Sequence, residues 1–270
     1  MDVPGFALIT GAGSPSGIGT ACALAFAQEG CAGIALLDIN ASGLSEAKSK
    51  ISNIARETPC HVLTYALDIT NEAEVTRVVQ EVALTFGRLD YVVNAAGIAL
   101  KHAGGTAFAK TDDWKKVLDI NLNGTFYVLR AAAAIMLEQE PIKSSIDGRP
   151  LQRGSIINFS SIQGVIGITL SGAYTTAKHA VIGLTRTASE DYAARGLRVN
   201  AICPGYTETP MTTKNPEVLK AMEERVESAV PMKRMGAPRE IADGVLYLAG
   251  GRSSFVTGSA LMVDGGYTSR

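Results

Sequence analysis

Seven short runs rich in Val, Ile, Leu and Ala recur along the chain, at residues 6–10, 33–38, 61–66, 91–94, 155–160, 198–202 and 260–263. Their apolar residues are continuous rather than alternating with polar ones, the pattern of strands covered on both faces. Between them, residues 17–29, 44–57, 72–86, 114–137, 173–194 and 238–248 place apolar side chains three and four apart and predict helices. Strand and helix alternate, so the pattern predicts an α/β fold with a parallel sheet. Two stretches break the rhythm. Residues 138–153 are polar and contain Pro141, Gly148 and Pro150, as in a surface insertion; residues 206–235 hold a short helix near 216–230 and read as a lid over a site. No shift of composition marks a boundary, so residues 1–270 read as one domain.

Composition narrows the function classes. With 46% hydrophobic and 19% charged residues the chain can bury a sizeable core. Its 25 Lys+Arg against 26 Asp+Glu give a net charge of -1, which provides no footprint for a nucleic-acid backbone or an anionic membrane. Cys22, Cys31, Cys60 and Cys203 form no CxxC pair, and His61, His102 and His179 form no Cys/His cluster, so no metal site is expected. No apolar run is long enough for a membrane span, and the N-terminus has no basic signal-like region. A cytoplasmic protein with reduced thiols is the expectation.

Chemistry enters at the first strand, which runs into Thr10-Gly11-Ala12-Gly13-Ser14-Pro15-Ser16-Gly17-Ile18-Gly19 immediately before an Ala-rich helix. Glycines let the backbone approach a pyrophosphate there, and the helix N-terminus offers free N–H groups and partial positive charge. Five residues separate Gly11 from Gly17, so Gly13 is a candidate phosphate glycine of a lengthened loop, with Ser14 and Ser16 as hydrogen-bond donors. Asp38 ends the second strand nineteen residues after Gly19, where a carboxylate can accept from adenosine ribose hydroxyls; a helix N-cap is its alternative role. No Lys or Arg lies in residues 11–19 or 38–45 to neutralise a 2′-phosphate, which favours NAD over NADP. Asp68, at the end of the third strand, either contacts adenine or caps the helix beginning near Asn71.

A second constellation follows the fifth strand. Tyr174 and Lys178 are spaced i and i+4, one turn apart on a common helix face. An ammonium beside a phenol favours the phenolate and makes the pair a plausible proton-transfer unit. Ser161 can orient a substrate oxygen; its neighbour Ser160 competes for that role, because adjacent strand residues face opposite sides. Asn121 and the stretch Asn94-Ala95-Ala96-Gly97 come to the same sheet edge.

The glycine turn, Asn94-Ala95-Ala96-Gly97, Asn121, Ser161, Tyr174-xxx-Lys178 and Pro204-Gly205 together resemble the short-chain dehydrogenase/reductase family over nearly the whole chain. The resemblance implies a single-domain, doubly wound Rossmann fold with a mainly parallel seven-stranded sheet and helices on both faces. It implies Tyr174 as general acid/base, Ser161 polarising the reacting oxygen, Lys178 lowering the tyrosine pKa and binding the nicotinamide ribose, and Asn121 holding a relay water. Ile39 and Ile69, beside Asp38 and Asp68, join the implied cofactor contacts, as do Pro204, Gly205, Thr207 and Thr209 around the carboxamide. Relatives assemble as homotetramers or homodimers, which is the expected state.

The segment 164–172 between serine and tyrosine contains no charged residue, and the lid brings Tyr206, Met211, Val218 and Met222, so a small hydrophobic alcohol or ketone is the expected substrate. The expected function is an NAD(H)-dependent oxidoreductase that interconverts a hydrophobic secondary alcohol and its ketone. An NADPH-dependent carbonyl or 3-oxoacyl reductase is the alternative, followed by a non-catalytic dinucleotide-binding regulatory protein.

Overall fold

The computed structural model describes residues 3–54, 60–144, 147–213 and 215–269. In chain order it runs β1 (Phe6–Thr10), α1 (Ile18–Gln28), β2 (Gly33–Asp38), α2 (Ala41–Ile54), β3 (His61–Ala66), α3 (Glu72–Phe86) and β4 (Tyr91–Asn94). It continues with α4 (Thr111–Leu118), a π-helical turn at Asp119–Gly124, α5 (Thr125–Met136), β5 (Ile142–Lys143), β6 (Pro150–Gln152) and β7 (Gly154–Phe159). The last part is α6 (Gly172–Tyr192), β8 (Leu197–Pro204), α7 (Pro210–Thr213), α8 (Pro216–Ala229), α9 (Pro238–Ala249) and β9 (Ala260–Val263). Residues 55–57 of the expected second helix lie outside the described residues.

Seven strands form one sheet in the order β3-β2-β1-β4-β7-β8-β9, and every pairing in it is parallel. Side chains alternate across the sheet, so each strand needs apolar residues on both faces. In β1 and β2, Ala7, Ile9, Ile34 and Leu36 pack with Cys22, Phe26, Leu44 and Leu246 from α1, α2 and α9. The intervening Leu8, Ala35 and Leu37 pack on the other face with Val78 and Val82 of α3 and Val128 and Ala132 of α5. β3 departs from the continuous pattern: as an edge strand it leaves His61, Thr64 and Ala66 exposed.

The expected surface insertion contains a small antiparallel hairpin, β5 with β6. Gln139 ties it down by donating to Leu89 O at 2.8 Å and Arg153 O at 3.0 Å. The expected helix 114–137 is interrupted, because the π turn inserts an extra residue per turn between α4 and α5. Strand order reverses between β1 and β4, and loops after these strands diverge there, which opens a crevice at the carboxyl edge of the sheet.

Candidate active site

The crevice is a cleft of about 860 Å³ running from the glycine turn to the segment after β8. Gly11, with φ +71, begins the turn; a Cβ there would lie 2.7 Å from Ala96 N. At Gly19 a Cβ would lie 2.3 Å from Gly11 O, so the turn closes on α1 only with glycine at both positions. Thr20 Oγ1 donates to Ala12 O at 2.9 Å and Ser14 O at 2.7 Å, folding the five residues between Gly11 and Gly17 back onto the helix. Gly11, Ser14, Gly17, Ile18 and Gly19 then line the cleft.

Two residues expected at the phosphates do not. Gly13 donates its N–H to Asp38 Oδ2 at 2.8 Å and its carbonyl accepts from Asn40 Nδ2 at 2.8 Å, so it faces β2 rather than the cleft. Ser16 is exposed at the tip of the lengthened loop and is absent from the lining. Asp38 lines the cleft with Ile39, Asp68 and Ile69. Its second oxygen accepts from Asn40 N at 2.9 Å, and Asn40 Oδ1 in turn accepts from Gly43 N at 3.2 Å in the first turn of α2. Asp68 accepts from Thr70 N and Oγ1, while Asn71 caps α3 by accepting from Glu74 N at 3.2 Å. A cation also approaches this end: Lys50 Nζ donates to Pro15 O at 3.3 Å while paired with Glu46 at 2.9 Å. Lys50 lies outside the two segments searched in the sequence, and only the packing of α2 against the turn reveals it.

Ala95, Ala96 and Gly97 line the cleft after β4, but Asn94 does not. Its amide is buried and donates to Asn158 Oδ1 at 2.9 Å, pinning β4 to β7. Asn121 is fully buried in the π turn, with Oδ1 accepting from Ile98 N and Nδ2 donating to Ile98 O, both at 2.8 Å. Its amide thus holds the loop after β4, and its main-chain carbonyl accepts from Thr125 Oγ1 at 2.9 Å.

Ser161, Tyr174 and Lys178 meet on the cleft wall. Ser161 leads a short helical turn at Ile162–Gly164, and its Oγ accepts from Gln163 N at 3.1 Å. Burial pushes the Tyr174 phenol up, opposed by a hydrogen bond from Ser161, while the nearby Cys203 thiol adds to the rise. Burial also pulls Lys178 down, to about 8. Its Nζ donates to Phe159 O at 2.7 Å and stands 5.5 Å from the Tyr174 ring centroid. In this state burial outweighs any charge effect on the tyrosine, which stays protonated at neutral pH. Ser160 points the other way, its Oγ donating to Lys178 O at 2.9 Å.

Beyond β8, Pro204, Gly205, Thr207 and Thr209 line the cleft together with Tyr206, Met211, Val218 and Met222. Thr207 bridges in parallel to Gly236, and Thr212 Oγ1 donates to Thr207 O at 2.8 Å. Arg234 makes paired bonds of 2.8 and 2.7 Å to Glu240, fixing the segment that faces residues 206–208. Sequence reasoning missed Leu100, Lys101, Lys116 and Gln163, all of which line the cleft. Lys101 follows the Asn94–Gly97 motif and Gln163 follows Ser161 by two residues, so proximity to a motif was their signal. Lys116 has none, because its placement depends on where α4 crosses the cleft.

A helix N-terminus facing a crevice that also holds a proton-transfer pair suits dinucleotide chemistry. A family model described as enoyl-(acyl carrier protein) reductase matches residues 11–268. The chain is 39% identical over 270 residues to the short-chain dehydrogenase fogB of Aspergillus ruber, covering 99% of this chain and 98% of that protein. It is 39% identical over 259 residues to the 3-oxoacyl-(acyl-carrier-protein) reductase FabG of Thermotoga maritima, covering 96% of each. Among solved structures, ElxO with NADP bound matches with a TM-score of 0.84 and 31% identity over 100% of both chains.

The chain belongs to the short-chain dehydrogenase/reductase family, oxidoreductases that act on alcohols and ketones with NAD or NADP. The cleft fits such a dinucleotide. Its glycine turn packs flat against the neighbouring backbone, which a Cβ at Gly11 or Gly19 would strike, and the first-turn N–H groups of α1, which have no intrahelical partner, border the cleft at Ile18 and Gly19. No helix among the described residues is long and apolar enough to cross a membrane.

Proposed function

We propose that this protein is an NAD(H)-dependent oxidoreductase that interconverts a hydrophobic secondary alcohol and its ketone. The observation that carries the reading is the meeting of Ser161, Tyr174 and Lys178 on the wall of the cleft. When bound, the nicotinamide supplies or accepts the hydride. Tyr174 gives its proton to the carbonyl oxygen in reduction and takes it from the hydroxyl in oxidation. Ser161 donates a hydrogen bond to that oxygen, where negative charge develops. Lys178, anchored on Phe159 O, sits a turn below and binds the nicotinamide ribose. Asn121 holds the loop through Ile98 and offers its carbonyl to a relay water. Gly11, Ser14, Gly17, Ile18 and Gly19 receive the pyrophosphate, and Asp38 the adenosine ribose.

Replacing Tyr174 with Phe is expected to lower turnover about 10²–10⁴-fold and leave NADH binding intact. Retained turnover, or loss of binding, overturns the role given to Tyr174. NAD preference rests on Asp38, which lines the cleft after β2 and whose negative charge disfavours a nearby 2′-phosphate. Fluorescence titration should find NADH bound more tightly than NADPH, and the opposite order overturns that assignment.

A second reading, an NADPH-dependent 3-oxoacyl reductase, is favoured by Lys101 and Lys116 on the cleft and by the likeness to a relative of that name. Turnover of a 3-oxoacyl thioester with NADPH, and none of simple ketones with NADH, decides for it. Cytoplasmic residence fits the four free cysteines. Homotetramer or homodimer assembly fits exposed Phe126 and Phe255, and sedimentation tests it.

A further inference from the structure

Ser161 and Gln163 project from a single turn, in which the Gln163 N–H donates to Ser161 Oγ at 3.1 Å. Gln163 therefore stands beside the hydroxyl that faces Tyr174, and it lines the same cleft. Thr175, the residue after Tyr174 on α6, donates to Gln163 Oε1 at 2.9 Å. In the amide orientation present, the carbonyl end meets this hydroxyl. Its acceptor end is turned to α6, and Nε2, with two N–H donors, has no hydrogen-bond partner among the described residues. The cleft it lines is largely apolar, with Ile98, Leu100, Ile168, Met211, Val218 and Met222 in its wall. An amide held open in apolar surroundings gains most from a ligand oxygen, and discriminates against a ligand that lacks one, because its N–H groups are then desolvated without a partner.

We propose that Gln163 recognises a second oxygen on the substrate, so that the preferred substrate is a hydrophobic ketone with a further carbonyl or hydroxyl close to the reacting carbon. A diketone or hydroxyketone meets this requirement and a simple monoketone does not. The amide is neutral, so it recognises an acceptor oxygen by direction rather than by charge. Thr175 is a positioning residue that acts through Gln163. The inference rests on the oxidoreductase reading above and names the substrate class of that site.

The test compares cyclohexanone, cyclohexane-1,2-dione and 2-hydroxycyclohexanone. Dissociation constants are measured by calorimetry on the protein saturated with NADH and, separately, NADPH, and kcat/KM is measured in parallel. The wild type is expected to bind the two dioxygenated ligands about 3–10-fold more tightly than the monoketone, the worth of one neutral hydrogen bond. In Gln163→Leu that preference is expected to vanish, and in Thr175→Val to shrink, while each variant still binds NADH. Equal affinities in the wild type, or an undiminished preference in Gln163→Leu, overturns the proposal. So does an equal loss for all three ligands in Gln163→Leu, which would mark Gln163 as a packing residue. Absence of turnover with every ligand and both cofactors sinks the oxidoreductase reading instead, and the ratio of dissociation constants still decides on Gln163.

Discussion

Two adjacent serines show how much depends on the direction of a single side chain. Ser160 and Ser161 both line the cleft, yet Ser160 Oγ donates into the backbone of α6 at Lys178 O, whereas Ser161 turns toward Tyr174. The spacing of thirteen residues from serine to tyrosine favoured Ser161 without excluding its neighbour. Ser161→Ala is therefore expected to lower kcat about 10²–10³-fold, as loss of a donor to a developing oxyanion does. Ser160→Ala loses one ordinary hydrogen bond and should cost about 2–10-fold. Steady-state kinetics of the two variants with a common substrate checks this, and a larger loss in Ser160→Ala would reverse the assignment. Gly13 and Asn94 teach the converse. Both sit within recognisable motifs, but one N–H is taken by Asp38 and one amide by Asn158, so they shape the cleft from behind.

At the scale of elements, the apolar pattern located every strand of the large sheet within one residue, except for the two extra residues at the end of β8 that carry Cys203 and Pro204 toward the cleft. The break between α4 and α5 was invisible, because a π turn keeps the apolar spacing and changes only the phase. Its cause is tertiary: Asn121 turns to clasp Ile98 on both sides of its peptide. The segment after β8 is anchored in an equally non-local way. Val218, Met222 and Arg225 are spaced i, i+4 and i+7 along α8, so the two apolar residues over the cleft share a face with a guanidinium. The hydroxyl of Tyr206, and with it Tyr267, raises the pKa of the neighbouring Arg225 guanidinium, and the two tyrosine rings meet edge to face at 5.6 Å. Val226 and Val230 bury the same end of the helix, while the end nearer Pro216 is exposed. Arg225→Ala is expected to raise KM about 3–10-fold with a smaller change in kcat, and to increase proteolysis within α8. Unchanged KM and cleavage would show that the helix is held by its valines.

Across the whole molecule, the sheet is closed at its C-terminal side by an arginine that no motif announces. Arg198 begins β8 among apolar residues and is 5% exposed. It donates to Gln152 Oε1 at 2.6 Å, Val256 O at 3.0 Å, Leu248 O at 2.7 Å and Ala249 O at 3.0 Å. One side chain thus joins the hairpin, the loop before β9 and the C-terminal carbonyls of α9, where the helix dipole favours a cation. Burial pulls its pKa down to about 10, which leaves it charged at neutral pH. Arg198→Ala strands several buried carbonyls and is expected to destabilise the fold by about 3 kcal/mol or more. The midpoint of chemical denaturation measures this, and a shift of less than 1 kcal/mol (roughly the worth of one hydrogen bond) would mean that water replaces the guanidinium.

The sequence by itself determined the alternation of strand and helix, the parallel sheet, the glycine turn and the Tyr174–Lys178 pair. These are legible because they depend on local periodicity and on residues close together in the chain. The tertiary structure decided which motif residues reach the cleft, the direction of each serine and the state of the tyrosine. It also brought Lys101, Lys116 and Gln163 to the site, set Lys50 against the glycine turn and placed Arg198 at the join of three segments. Those outcomes turn on burial and on hydrogen-bond partners tens of residues distant, and neither has a signature in the spacing of residues along the chain.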